Sequence, residues 1–239
     1  MSRFTTTRWS LVLRAGQEPG EAKKALEVLC STYRPPVLAF IRQSGYTADA
    51  AEDLVQAFFL EFLEHTIHAN ADPSRGRFRT FLLTVVERFL IGADRHANRQ
   101  KRGGGVMFKS LDDEVEQAIA TNSSLSPEVE FERVWGMAVL DAALRRLREE
   151  ALHAGKGDWF DQLSDFVTDP TDRAEYSKAA AALGVRPNTL AVAVHRFRQR
   201  LRALVREELK ETTTDNAELE DELQVLRSAL SASGLSAMD

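Results

Sequence analysis

Apolar residues recur every three or four positions through nearly every stretch of this chain, and nowhere do they alternate with polar ones for long enough to suggest a sheet. That periodicity allows one kind of architecture, helices packed on helices, so the fold class expected is all-α. Breakers are sparse, with 13 Gly and 7 Pro in 239 residues, and most of them punctuate the periodic stretches. With 44% hydrophobic and 28% charged residues the chain has enough apolar surface to bury a core, and its length leaves room for two small domains.

The spacing predicts a first helix from about Gly20, with Leu26, Leu29 and Tyr33 on one face, kinked or interrupted at Pro35-Pro36 before Val37, Phe40 and Ile41 resume the stripe. A second is expected from Thr47 to about His68. Thr47 is its cap, Asp49, Glu52 and Asp53 suit the positive end of the dipole, and Leu54, Val55, Phe58, Phe59, Phe62 and Leu63 form its apolar face. After turn residues at 70–76, a third runs from Arg77 to about Arg102 with Phe78, Phe81, Leu82, Val85, Phe89 and Leu90 inward. Residues 103–127, rich in Gly, Ser and acids, read as a linker between domains. Ser126-Pro127 then caps and opens a helix carrying Phe131, Val134, Trp135, Ala138, Val139 and Ala142. Past Gly155-Lys156-Gly157 come Trp159, Phe160, Leu163 and Phe166, a turn at Asp169-Pro170, and two short helical patterns split at Gly184. A capping box at Asp215 leads into Leu219, Leu223, Leu226 and Leu230. The domain division expected is 1–102, a linker at 103–127, 128–210, and an acidic extension at 211–239 that could pack on the second domain, bind a partner helix or occlude DNA.

A net charge of -5 argues against a polyanionic partner only on average. From Arg75 to Arg102 there are eight Lys or Arg against two acids, and from Arg186 to Arg206 six Arg against none. Acids dominate the neighbouring stretches, six with no base over 48–72 and nine against two bases over 207–239. Two basic segments separated by acidic ones look like two footprints on a polyanion. The most apolar run, Phe81 to Val86, is far too short to cross a membrane, and the first residues lack the apolar stretch of a signal peptide, so membrane insertion is not expected and the cytoplasm is the expected location. The single cysteine, Cys30, rules out an internal disulfide and a multi-cysteine zinc site, and at helical spacing from Leu26 it reads as a small core residue.

The segment Tyr176 to Arg196 has the marks of a helix-turn-helix: Ala180 where the helices cross, Gly184 four positions later for the tight turn, and Leu183, Val185, Leu190 and Ala193 to pack them. Pro187 opens the second helix, whose outer side would carry Asn188, Thr189, His195 and Arg196, with Arg198, Arg200 and Arg202 trailing into the zone that contacts a DNA backbone. The plainer reading is an Ala-rich hairpin with a solvated basic face. On the third helix Thr84, Arg88, Arg95, Arg99 and Arg102 form a polar stripe opposite the phenylalanines, which suits single-stranded nucleic acid or, again, solvent.

Together these segments carry a family resemblance. Ala48 to Phe59 resembles region 2.2 of the extracytoplasmic-function (group 4) sigma factors of bacterial RNA polymerase, Phe78 to Arg102 resembles regions 2.3 to 2.4, and Tyr176 to Leu204 resembles region 4.2. Thr7-Arg8-Trp9-Ser10, Arg75-Gly76-Arg77-Phe78-Arg79, Lys101-Arg102-Gly103-Gly104-Gly105 and Val194-His195-Arg196 look like a longer subgroup of that family. The resemblance implies a non-enzymatic protein that binds core RNA polymerase and directs promoter recognition and melting. It implies that Glu52, Asp53 and Gln56 dock on the polymerase, that Arg88 helps hold a base flipped from the -10 element, and that Arg95, Arg99, Lys101 and Arg102 contact phosphates of the opened strand. It also implies that the second helix of the turn motif enters the major groove at the -35 element. Where such factors often carry polar residues midway along that helix, this chain has Ala191 and Val192, which cannot hydrogen-bond base edges. Regulatory partners of such a chain would be an anti-sigma protein or a Ser/Thr kinase, the latter acting at Thr47, where added negative charge suits the helix dipole.

Two rival functions stand beside this. One is a stand-alone helix-turn-helix regulator that uses its N-terminal domain to dimerise. The other, more remote, is a metal-dependent hydrolase built on Glu61, Glu64, His65 and His68, of which Glu61 with His65 and Glu64 with His68 share a helix face. No cofactor motif is legible: Gly155-Lys156-Gly157 lacks the flanking residues of a P-loop, and Gly103-Gly104-Gly105 matches no dinucleotide fingerprint.

Overall fold

The computed structural model describes residues 19–64, 77–103, 125–168, 173–182, 184–213 and 215–232, with the side chains of 19–26, 63–64, 97–103 and 173–174 left aside. It is all-helical, with no strand among the described residues. The helices are α1 (Pro19–Gln43), α2 (Ala48–Glu64), α3 (Phe78–Gly103), α4 (Pro127–His153), α5 (Gly157–Thr168), α6 (Arg173–Ala182), α7 (Pro187–Lys210) and α8 (Asn216–Ala232). The chain divides between Trp135 and Gly136, inside α4, into two compact units.

In the first unit α1 runs unbroken through Pro35 and Pro36, where the sequence suggested a kink or an interruption. Each internal proline removes a backbone donor and costs about 3 kcal/mol. Burial on both sides of the pair outweighs this, because Leu29 and Tyr33 before it and Val37, Phe40 and Ile41 after it are all core residues. The helix ends at Ser44 and at Gly45, whose φ of 98° suits only glycine. Thr47 caps α2 as expected, its hydroxyl accepting from the Ala50 amide at 3.4 Å. Ala51, Val55, Phe58 and Phe62 of α2 face Phe78, Leu82, Val86 and Leu90 of α3 in a core of edge-on rings, with Phe58 5.6 Å from Phe89 and Tyr33 4.9 Å from Phe78. The opening turns of α4 complete this unit. Phe131 packs edge-on to Phe40, and the buried Arg79 guanidinium pairs with Glu132 and lies 4.8 Å over the Trp135 ring.

In the second unit α4 continues from Gly136 and is flanked by α8, whose Leu219, Leu223, Leu226 and Leu230 are buried. Gly136 lets the two come close: a Cβ there would lie 3.3 Å from both Ala229 Cβ and Leu226 Cδ1. Asp215 caps α8 by accepting from the Glu218 amide at 2.9 Å, and Arg206 pairs with Glu220. Of the three roles open to the acidic extension, packing on its own domain is the one these contacts show. The helix-turn-helix is formed by α6 and α7 around Leu163, Ala180, Leu190 and Val194. Gly184, at φ 65°, makes the turn, and the Val185 amide bonds back to the Ala180 carbonyl at 3.0 Å. Arg186 is the extended residue before Pro187, which starts α7 as expected. That helix is 24 residues long, because Leu201, Leu204, Val205 and Leu209 extend its buried stripe well past the turn motif.

Candidate nucleic-acid interface

Helix periodicity and core spacing fix which side of each helix is buried, and so where the sequence-derived site residues lie. On α2 the apolar stripe points inward, so Asp53 and Gln56 are exposed, with Leu60 one turn further on and 57% exposed. Glu52 differs. Its carboxylate binds Arg34 at 2.6 Å and Arg42 at 3.4 Å, fixing α2 to α1. The exposed acidic face of α2 therefore consists of Asp49 and Asp53, with Gln56 between them and Leu60.

On α3 the same logic turns Arg88 and Arg95 outward. The Arg88 side chain makes no hydrogen bond or ion pair among the described residues, whereas Arg95 has a partner. Arg99, Lys101 and Arg102 lie further along α3, but their side chains fall outside the described residues. Arg88 borders a cleft of about 500 Å³ between α2 and α3, together with Phe58, Glu61, Val85, Phe89 and His96. Its lining mixes the apolar Phe58, Val85 and Phe89 with the charged Arg88 and Glu61, and rings beside a cation suit a flat aromatic group attached to an anionic chain. Tyr46 braces α3 nearby by donating to Asp94 at 2.7 Å. Burial, that hydrogen bond and the Asp94 charge all push its phenol above the ordinary range. Of the residues considered for a metal site, Glu61 lines this cleft, while the side chains of Glu64, His65 and His68 fall outside the described residues. No group of three metal-ligating side chains occurs among the described ones.

In the second unit the outer face of α7 carries Asn188, Thr189, His195 and Arg196, all exposed and with no side-chain hydrogen bond or ion pair among the described residues. Arg198 and Arg200, expected on the sequence alone to trail along a DNA backbone, are engaged within the chain. Arg198 donates through Nε and Nη2 to the Phe166 carbonyl at 3.1 and 2.7 Å, tying α7 to the end of α5. Arg200 pairs with Glu150 at 2.7 Å and Glu207 at 3.0 Å, while Arg146 pairs with Glu207 and Glu208 at 2.6 and 2.7 Å. The hydrogen bond from Arg200 holds the Glu150 carboxyl below its usual range. Glu207 is lowered too, because the bonds from Arg200 and Arg146 outweigh the opposing effect of burial.

Sequence reasoning missed the other wall of this face. A depression of about 500 Å³ beside α7 is lined by Asn188, Thr189, Val192 and Arg196 on one side and by Gly155 and Lys156 of the turn before α5 and Trp159 of its first turn on the other. The one available signal was the Gly155-Lys156-Gly157 break. Its positive-φ glycine turns the chain so that Lys156 and Trp159 come beside the second helix of the motif.

A family model described as ECF sigma factor matches residues 38–156, which span the end of α1, α2, α3 and all of α4 and stop before α5 and the helix-turn-helix. No curated protein and no solved structure matches the chain. No helix among the described residues is long and apolar enough to cross a membrane.

Proposed function

We propose, from the premise that this chain belongs to the ECF sigma factor family and takes a sigma factor's part in transcription initiation, that its two units divide the work of starting a transcript. The first unit docks on core RNA polymerase and holds the opened -10 strand, and the second reads the -35 duplex. In domain terms, residues 1–102 supply the polymerase and -10 contacts and 128–210 the -35 contacts, with 128–135 packing in the first unit and the extension at 211–239 belonging to the second.

Docking uses Asp53 and Gln56 with Leu60 as an apolar anchor, while Glu52 acts through Arg34 and Arg42 to hold α2 in place. Opening uses the cleft at Arg88. A base taken from the stack enters against Phe58, Val85 and Phe89, and the Arg88 guanidinium meets the adjacent phosphate. Unstacking costs a few kcal/mol per base, and binding the displaced strand and not the duplex offsets that cost, so the open state is selected without bond chemistry by the chain. Arg95, Arg99, Lys101 and Arg102 extend the phosphate track along α3. At the -35 element α7 enters the major groove with Asn188, Thr189, His195 and Arg196 forward. Arg198 and Arg200 add positive field from behind while bracing the helix on α5 and α4. An anti-sigma protein would cover these same faces, and a Ser/Thr kinase would act at the exposed Thr47, placing a phosphate at the positive end of α2.

The observation that carries the -35 assignment is the exposed, unpartnered Asn188, Thr189, His195 and Arg196 surface on the second helix of a helix-turn-helix. Run-off transcription with purified core polymerase and a promoter library tests the whole reading. Initiation at selected start sites only when the chain is added supports it. DNA binding that alters transcription by a resident sigma factor, without replacing that factor, would instead establish the stand-alone regulator.

A further inference from the structure

Midway along the outer face of α7, between the polar residues at its start and Arg196, the chain places Ala191 and Val192, both exposed, Val192 at 42%. Neither serves the core, which α7 supplies through Leu190, Val194 and the partly buried Ala193 and Phe197. A β-branched residue in a solvent-facing helical position loses rotamer freedom that burial does not repay. Around it the chemistry is that of a nucleic-acid groove. Asn188 and Thr189 lie one turn earlier and Arg196 one turn later, and Lys156 faces them across the same depression, with neither Lys156 nor Arg196 ion-paired among the described residues.

In the major groove one base-edge feature is apolar, the C5-methyl group of thymine, and small aliphatic side chains recognise it by contact. We propose that Val192, with Ala191 beside it, is a specificity-determining residue that reads a thymine methyl at the centre of the -35 element, while Lys156 of the turn before α5 joins Arg196 in holding the flanking phosphates. The inference rests on the assignment of α7 as the -35 reader and deepens it. Hydrogen-bonding residues at the ends of the face set the outer positions, and an apolar centre makes this chain select A·T pairs by shape and methyl contact where a polar helix would select by donors and acceptors. Burying one methyl is worth about fourfold in affinity.

The test uses the full chain bound to core polymerase. Upstream duplexes are first selected from a pool randomised across the -35 region. In the selected duplex each thymidine is then replaced singly by deoxyuridine, which removes only the methyl, and binding is measured for the native chain and for Val192→Ala. One or two central positions should lose about fourfold on replacement with the native chain and clearly less with Val192→Ala, and 5-methylcytosine should bind better than cytosine at the same positions. Lys156→Ala should weaken all duplexes alike and reduce the salt dependence by about one phosphate contact. Sequence-selective binding without a deoxyuridine-sensitive position, or sensitivity that Val192→Ala leaves intact, overturns the inference while the -35 assignment stands. Absence of any selected -35 sequence overturns both.

Discussion

Arg196 and Arg200 lie four positions apart on α7, yet the structure gives them opposite tasks, and a pair of substitutions separates these. Arg196 is exposed and unpaired among the described residues, so replacing it with alanine should leave folding within about 0.5 kcal/mol of the native chain. Arg200 spans Glu150 and Glu207, with all three side chains 40 to 44% exposed. Solvent screens pairs of this kind to about 0.2 to 1 kcal/mol each, so two of them, plus the packing of the arginine stem, amount to roughly 1 kcal/mol. For a domain of about 100 residues that is a fall of about 4 to 8 °C in Tm. Arg196→Ala should in turn cost about tenfold in -35 duplex affinity for the chain bound to core polymerase and lower the salt slope by about one. Arg200→Ala should change affinity far less. Thermal melting by circular dichroism and fluorescence binding across a salt series read both quantities. If Arg200→Ala weakened DNA binding as much as Arg196→Ala with an unchanged Tm, the assignment of Arg200 to the fold would be refuted.

Leu226→Ala should destabilise the second unit by about 2 to 5 kcal/mol, since the side chain is fully buried between α8 and α4, and Gly136→Ala added to it should cost less than it does alone because the new Cβ enters the vacated space; additive losses in urea unfolding would contradict that packing. Partial burial pushes the Cys30 thiol up to about 11, so at pH 8 native chain should react with iodoacetamide on the order of a hundredfold more slowly than unfolded chain, and equal rates would count against that shielding of Cys30. Glu150 and Glu207 have lowered pKa values, so their contribution is fully present above the unfolded carboxylate value near 4.5 and is lost as pH falls through the lower folded values. The Tm difference between native chain and a Glu150→Gln, Glu207→Gln variant should therefore narrow below about pH 4.5, and a gap that widened on acidification would reverse the sign argued here.

What sequence reasoning could reach follows from the range of the forces involved. Caps are local: Thr47, Ser126 and Asp215 could be recognised because each binds an amide three residues away, at 3.4, 3.4 and 2.9 Å. Burial periodicity is local too, which is why Phe58, Phe62, Leu82 and the leucines of α8 could be placed inward from spacing alone. The turn at Gly184 was legible because only one residue type takes its backbone angle without strain. Non-local partners were not legible. Nothing around Arg200 identifies Glu150, fifty residues earlier, as its acceptor, and Glu52 gives no sign of Arg34. The unbroken α1 depended on tertiary burial overriding a local proline penalty. Lys156 and Trp159 became part of the α7 face only once α5 was packed beside it.

The central claim is that one chain directs core polymerase to a start site and helps hold the DNA open there. Permanganate probing of a selected promoter, with core polymerase and the purified chain, measures that in one step. The account predicts reactive thymines around the start site only when core and chain are both present, lost with Arg88→Ala and with Arg196→Ala, and restored for Arg196→Ala alone when the -10 region is supplied already unpaired. Reactivity with core alone, or a chain that binds core and promoter while every thymine stays protected, would contradict it.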